Sequence, residues 1–151
     1  MWIIFKRKKL IDHINCYLSF LFDDYHFSIK NKNTDNFFSI ENQYVGIDII
    51  IDRGRLHITL YPVEKEYRIL SSQGYKTKRV GVAFIADCLQ PPFPFHKMKN
   101  IKKGFKEISI FMREYLPPLL EGDFSQWQFI DACAEKYRSE IRKKYIEKNH
   151  Y

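Results

Sequence analysis

The chain has 151 residues, of which 45% are hydrophobic and 17% aromatic, and its formal net charge is +7. This apolar content is sufficient for the core of one domain of ordinary size, and the 13 Phe and 10 Tyr argue against an intrinsically disordered chain. No window approaches the roughly 20 apolar residues that a membrane-spanning helix requires. A membrane partner is therefore not expected.

The positive charge could attract nucleic acid, anionic lipid or an acidic protein, and charge alone does not choose among them. Much of the excess lies in two terminal runs, residues 6–9 and 138–148. We interpret these runs mainly as solvated helix faces.

The cysteines and the N-terminus both bear on the cellular compartment. The apolar residues 1–5 precede the basic residues 6–9, which is the reverse of the order in a secretory signal peptide. Cys16, Cys88 and Cys133 are odd in number and far apart, and each has the apolar or helical context of a buried thiol. We therefore expect a reducing, cytoplasmic environment.

An amphipathic helix is predicted over residues 10–22, because large apolar residues recur there every three or four positions. Acidic side chains near a helix C-terminus oppose the macrodipole, so we expect Asp23 and Asp24 to lie in an exposed turn after the helix. A strand should then begin at about His26.

Alternating apolar and polar residues predict two β-hairpins after this helix. The first joins residues 27–30 to residues 37–41 through a polar turn. The second joins residues 45–52 to residues 56–61 through the turn Asp52-Arg53-Gly54-Arg55, and it is the clearest β signal in the chain.

The middle of the chain is less regular. Pro62 should end the last strand or border it, because proline has no N–H to donate to a ladder. Residues 64–70 indicate a further short strand, residues 71–78 a loop, and the apolar residues 80–89 a short buried helix, although their length also suits a strand. The proline-rich residues 91–96 indicate an extended connector.

Two more helices are predicted in the C-terminal part. The first runs over residues 98–119, with two prolines near its end and Gly122 closing it. The second has an apolar face over residues 127–145 and a first turn that Asp123 or Ser125 can cap. We expect the polar residues after position 142 to fray.

These elements predict an α+β fold in a single domain over residues 1–151. An N-terminal helix should precede an antiparallel β-meander of about four to five strands. The C-terminal helices should pack on one face of that sheet.

The common catalytic and metal-binding motifs do not occur in the sequence, and the histidines and cysteines lack metal-ligand spacing. We predict no enzyme activity, no metal and no cofactor. The best enzymatic hint is a set of carboxylates, Asp48, Asp52 and Glu66, which could hold Mg²⁺ against a phosphodiester. Asp48 and Asp52 stand about 13 Å apart along a strand, so we favour a solvent-facing residue and a turn residue instead.

Basic and tyrosine side chains gather around the predicted hairpin ends. They are Arg53, Arg55, Tyr61, Tyr67, Arg68, Tyr75, Lys76, Lys78 and Arg79. Tyrosines and basic groups can bind nucleic acid by stacking and charge, but Tyr and Arg are also the residue types that dominate protein interfaces. We favour a protein partner and keep nucleic acid as the alternative.

The layout of the chain resembles a class of small bacterial proteins. An N-terminal helix runs into Asp24-Tyr25-His26-Phe27, a meander follows, and residues 115–125 read Tyr-Leu-Pro-Pro-Leu-Leu-Glu-Gly-Asp-Phe-Ser. This layout is similar to that of immunity proteins of contact-dependent growth inhibition and other polymorphic toxin systems.

The resemblance implies a protein that binds a cognate toxin domain and occludes its active site or substrate groove. The basic hairpin ends and the acidic pair Asp23 and Asp24 are then the candidate contacts. Many immunity proteins are acidic because their toxins are basic nucleases, whereas this chain is basic, so its toxin should present an acidic face. The alternative function is that of a basic nucleic-acid-binding accessory protein, and the oligomeric state is left open.

Overall fold

A computed structural model describes residues 10–34, 36–64, 68–71, 74–77, 79–89 and 100–148; for residues 32–34, 68–71, 74–77 and 138 it describes the backbone alone. The elements in chain order are α1 (Leu10–Tyr17), α2 (Ser19–Tyr25), β1 (Ser28–Thr34), β2 (Phe37–Glu41), β3 (Val45–Asp52), β4 (Arg55–Pro62), β5 (Arg68–Ser71), β6 (Gly74–Thr77), β7 (Val80–Gly81), α3 (Val82–Leu89), α4 (Ile101–Tyr115), α5 (Pro117–Leu120) and α6 (Trp127–Lys148). The predicted α+β class is confirmed.

The main sheet has five antiparallel strands in the order β1-β2-β3-β4-β7. Its first four strands form a meander, because each one pairs with the next along the chain. The short strand β7 pairs with β4 only through residues 80–81. Strands β5 and β6 form a separate hairpin, so the loop predicted over residues 71–78 is wrong where β6 lies.

The core lies between one face of this sheet and the helices. Alternate residues of β2, β3 and β4 are at most 5% exposed, since successive side chains of a strand point to opposite faces. They are Phe38, Ile40, Ile47, Ile49, Ile58 and Leu60. Phe105 and Phe111 of α4 belong to the same cluster, and Phe105 stacks against the rings of His13 and Tyr17. The predicted packing of C-terminal helices on one face of the sheet is confirmed.

The N-terminal helix differs from the prediction in its length and continuity. It breaks at the fully buried Leu18, and α2 then continues to Tyr25. His26 closes α2 with a left-handed φ of 60°. Asp23 and Asp24 are exposed as expected, but they lie in the last turn of a helix and not in a turn after it.

Residues 80–89 are mainly the predicted short buried helix, preceded by the two residues of β7. The helix predicted over residues 98–119 is divided into α4 and α5, because the backbone at Leu116 leaves the helical geometry before the two prolines. Asn100 caps α4 by accepting a hydrogen bond from the N–H of Lys103 at 3.2 Å. The last helix, α6, continues to Lys148, well beyond the residue at which we expected fraying.

The prediction of three buried thiols is wrong. Cys88 of α3 and Cys133 of α6 form a disulfide, and Cys16 is free and exposed. The pair is separated by 45 residues, and sequence spacing does not show which helices become neighbours. Disulfides are rare in reducing compartments, so the cysteines no longer support a cytoplasmic location.

Among the described residues, no helix has the length and apolar character needed to cross a membrane.

The side chain of Asn42 joins three parts of the fold. Its amide nitrogen donates to the carbonyls of Tyr25 and Leu120, both at 3.0 Å. Its amide oxygen accepts from the N–H groups of Tyr44 and Val45, both at 2.8 Å. The end of α2, the turn between β2 and β3, and α5 therefore meet at one side chain.

Asp123 stabilises a turn ahead of α6. The helix begins at Trp127, so the hydrogen bond of Asp123 lies before the first turn of α6, where the sequence predicted a cap. The carboxylate of Asp123 accepts from the N–H of Ser125 at 3.0 Å, and this backbone hydrogen bond is the main cause that lowers the pKa of Asp123 below its usual value. The stabilisation of the folded state by this hydrogen bond is therefore complete above the pKa that Asp123 has in the unfolded chain. It is lost as the pH falls through the lower pKa of the folded state.

We expect the carboxyl of Asp123 to titrate below the usual aspartate range in a carbon-detected NMR titration of the folded protein. The variant Ser125→Pro removes the donating N–H and should return the titration midpoint towards that range. A midpoint that is the same in both proteins would show that the hydrogen bond does not form in solution.

Candidate functional site

The outer face of the sheet, opposite the core, carries a connected group of polar side chains. We call it the outer-face cluster, and its members are Lys30, Ser39, Glu41, Asp48, Tyr61 and Arg79. The strand residues of β2, β3 and β4 in this set alternate with the buried core residues, so strand geometry places them on one face. Ser39 is paired directly with Asp48 in the strand register, and this brings their side chains together.

Asp48 is the buried acceptor of the cluster. It is 8% exposed and accepts from the hydroxyl of Ser39 at 2.8 Å and from Nε of Arg79 at 2.9 Å. The interpretation of Asp48 as a solvent-facing residue is therefore wrong, because Arg79, which is 31 residues away, covers it. Asp52 is exposed beside the hairpin turn as predicted, and Glu66 lies outside the described residues.

Tyr61 carries two cations around its ring. The guanidinium carbon of Arg79 lies 4.5 Å from the ring centroid and Nζ of Lys30 lies 5.8 Å from it. Lys30 also forms an ion pair with Glu41 at 3.1 Å, and this hydrogen bond is the main cause that raises the pKa of Lys30 above its usual value. The Tyr61 hydroxyl donates weakly to the same carboxylate at 3.5 Å. The side chains of Lys30 and Arg79 are 54% and 43% exposed, so their charged ends remain accessible.

The ring of Tyr61 lies directly over Gly46, its partner in the strand register. A Cβ atom at position 46 would overlap the end of that ring. Only a glycine therefore allows the ring to lie flat where Arg79 stacks on it.

We expect Gly46→Ala to lower the free energy of unfolding by about 1 kcal/mol, because the tyrosine ring must shift away from the added methyl group. Gly81→Ala is the matched control, since its Cβ would meet only Phe84 at an ordinary 3.6 Å. Urea unfolding of both variants tests the difference. In a Tyr61→Ala background the cost of Gly46→Ala should disappear, and a cost that persists there would contradict this packing.

The basic β3–β4 turn lies at one end of the outer face. Arg53 and Gly54 have positive φ angles of 52° and 75°, as a two-residue hairpin turn requires, and Arg53 is exposed. Arg55 is also exposed and shares a strand face with Tyr61, roughly 20 Å away along β4. The structure thus aligns Arg55 with the cluster along one strand face but does not bring the two into contact.

The acidic pair lies elsewhere. Asp23 and Asp24 are next to Tyr25, whose carbonyl accepts a hydrogen bond from Asn42 in the turn before β3. The basic turn at Arg53 is at the other end of that strand, roughly 24 Å away. The acidic and basic candidates are therefore not part of one site.

The remaining predicted residues are within the sequence of the β5–β6 hairpin or next to it in the sequence. Tyr67 and Lys78 are outside the described residues, and for Arg68, Tyr75 and Lys76 only the backbone is described. Lys30, Ser39 and Glu41 were missed by the sequence analysis. The signal that could have found Ser39 and Glu41 was the pairing of β2 with β3 across the turn between the two predicted hairpins, which puts Ser39 opposite Asp48 and Glu41 opposite Gly46.

The outer-face cluster presents two accessible cations that are fixed by two carboxylates and one aromatic ring, an arrangement suited to binding a negatively charged surface. In the part of the chain that the structure describes, no three His, Cys, Asp or Glu side chains are placed to hold a metal ion. No protein-family model, no curated protein and no solved structure matches the chain, so the site has to be interpreted from its own geometry.

Proposed function

We propose that this protein is a bacterial immunity protein, a binding protein rather than an enzyme, that neutralises a cognate toxin domain by covering its active site or substrate groove. The observation that carries the proposal is the fixed guanidinium of Arg79, which is stacked on Tyr61 and hydrogen-bonded to Asp48. Side chains held in one geometry before binding lose little conformational entropy in a complex. Tyr61, a contact candidate from the sequence, is only 4% exposed and therefore positions Arg79 instead of touching a partner itself. Arg is among the residue types that contribute most to protein–protein affinity.

Charge supports an acidic partner. The net charge is +7, and Lys30 and Arg79 expose cationic ends on the same face as Arg55. Such a face accelerates the encounter with an acidic surface and disfavours a basic one. We therefore propose that the toxin domain presents an acidic rim around the site that is covered.

The proposal requires that a toxin gene lies beside the gene of this protein, and the test is co-expression with the domain which that gene encodes. We expect the wild-type protein to restore growth and to bind the purified toxin domain. Arg79→Ala should weaken that binding at least about 30-fold. Arg113→Ala is the matched control, because Arg113 also stacks on an aromatic ring, that of Phe20 at 4.6 Å, but lies on α4 in the helical layer.

Two outcomes would contradict the proposal. One is growth arrest by the toxin although the wild-type protein is present and folded. The other is equal binding by the Arg79 and Arg113 variants, which would remove the outer-face cluster from the interface. Circular dichroism of each variant separates a loss of binding from a loss of folding.

A nucleic-acid-binding accessory protein is the second candidate, favoured by the exposed cations along the outer face. These cations would attract either kind of anionic partner, and we rank nucleic acid second because Arg79 is held in one geometry by Asp48 and Tyr61, which suits a specific protein interface better than a contact with a uniform phosphate backbone. Binding to a duplex that weakens steeply with salt, together with no binding to the toxin domain, would favour this second function.

We propose that the protein acts in the cytoplasm. The oxidation state of Cys88 and Cys133 in the cell tests this location. Alkylation of free thiols at the moment of cell lysis, followed by mass spectrometry, reports whether Cys88 and Cys133 are joined in the cell. We expect both to be alkylated in a cytoplasmic protein. A fully joined pair would instead favour an oxidising compartment.

A further inference from the structure

The distal half of α6 is exposed on all sides. Every residue from Ser139 to Lys148 is exposed, so this part of the helix extends beyond the packed body. Four exposed side chains in this segment and in the turn before it are large and apolar. They are Tyr137 (45% exposed), Ile141 (49%), Tyr145 (70%) and Ile146 (54%).

The apolar face of the distal half continues the face that packs in the core. Trp127, Ile130 and Ala134 are at most 4% exposed and are spaced by three or four residues. Tyr137 follows at the same spacing and makes the edge-to-face contact with Phe84 at 4.4 Å. Ile141 and Tyr145 extend the line by one further turn each, beyond this contact with α3.

The proximal half of α6 is fixed in place. Trp127, Ile130 and Ala134 are buried in the core, and Ile141 lies seven residues after Ala134, about 10 Å along the helix. The distal half is therefore already helical and already oriented before any partner arrives, which lowers the entropy cost of docking.

The charge of the distal half selects the partner. Between residues 139 and 148 there are four basic residues and two acidic ones, a net charge of +2. Lys144 and Lys148 continue the spacing of Tyr137 and Ile141, so a second copy of the helix would place lysines against each other at the central positions. A partner surface with carboxylates around an apolar depression would match both the positive charge and the apolar line of this helix.

The cations are also not confined to one side. Arg142 and Lys144 point about 160° apart around the helix. A helix that lies on a membrane surface instead keeps its charges on the side away from the apolar face. The observations therefore favour an acidic protein groove over self-association and over a lipid surface.

We infer that the distal half of α6 docks as a helix into an apolar, acidic-rimmed groove of the toxin domain, with Ile141 and Tyr145 as its anchors. This inference rests on the proposed function and adds a second contact to the outer-face cluster. It is a contact that lies outside the basic hairpin ends.

The test compares two isoleucines that are five residues apart and similarly exposed. Ile141→Asp places a charge on the apolar line, whereas Ile146→Asp places it about 140° away around the helix. Titration calorimetry uses the whole 151-residue chain and the purified toxin domain of the co-expression test. We expect Ile141→Asp to weaken binding at least about 30-fold and Ile146→Asp less than about 3-fold, with unchanged helicity in both because both sites are exposed.

The other outcomes are distinct. Absence of binding by the wild-type protein would remove the proposed function and this inference with it. Equal binding by the two variants would overturn the inference and leave the function standing. A wild-type dimer in sedimentation that Ile141→Asp dissociates, or binding to phosphatidylserine vesicles that Ile141→Asp abolishes, would overturn it in favour of a second copy or a membrane.

Discussion

Replacing Cys133 with serine is expected to lower the free energy of unfolding by about 4 kcal/mol. The disulfide to Cys88 closes a long loop, since the two cysteines are 45 residues apart. In the chain-entropy description a cross-link of this span removes about 4 kcal/mol of conformational freedom from the unfolded chain. Urea unfolding of the oxidised wild type and of the variant, followed by circular dichroism, measures the difference.

Cys16→Ser is the control for this prediction. Cys16 is free and exposed on α1, so its replacement should change the stability by less than about 0.5 kcal/mol. If a reducing agent leaves the unfolding midpoint of the wild type unchanged, the bridge does not contribute to the folded state.

Replacing Asp48 with alanine is expected to cost about 2 kcal/mol of folding free energy. The change leaves the buried hydroxyl of Ser39 and the guanidinium of Arg79 without their acceptor. Arg79 is 43% exposed and can turn to water, so the cost stays well below that of a fully buried ion pair. Asp48→Asn retains one acceptor oxygen and should cost about 1 kcal/mol.

A double-mutant cycle with Arg79→Ala isolates the Asp48–Arg79 contact. We expect the double variant to be less destabilised than the sum of the single variants, since the second change removes a partner that is already lost. Strict additivity would show that the contact is not formed in solution. If the two changes are coupled, toxin binding by Asp48→Asn tests whether the position in which Asp48 holds Arg79 matters for affinity.

The sheet could be predicted because its signals are local. The alternation along β3 and β4 and the Arg53-Gly54 turn fix both the strands and their register within one stretch of chain. The break at Leu18 could not be predicted, because the apolar spacing continues through it and burial against the rest of the core decides the bend. The strand β6 was missed because it is only four residues long and mostly polar, and such a segment resembles a turn.

The candidate site was less accessible to sequence reasoning, because its contacts are tertiary. Strand alternation places Asp48 on the outer face, but nothing nearby in the sequence shows that Arg79 covers it. The same holds for Cys88 and Cys133, whose pairing depends on how α3 and α6 pack. Tyr61 and Arg79 were both identified as candidates, yet their stacking became apparent only in three dimensions.

We expect the two hydrogen bonds that the Asn42 amide donates to form in the order of the loops that they close. Its partners lie 17 residues away at Tyr25 and 78 residues away at Leu120, so one amide group takes part in a short loop closure and a long one. Short closures are entropically easier and form earlier than long ones. Helix α2 and the turn after β2 can therefore assemble around Asn42 first, with one N–H of the amide still directed at the solvent. We expect this N–H to donate later to the carbonyl of the buried Leu120, so that the completed meander positions the C-terminal third of the protein.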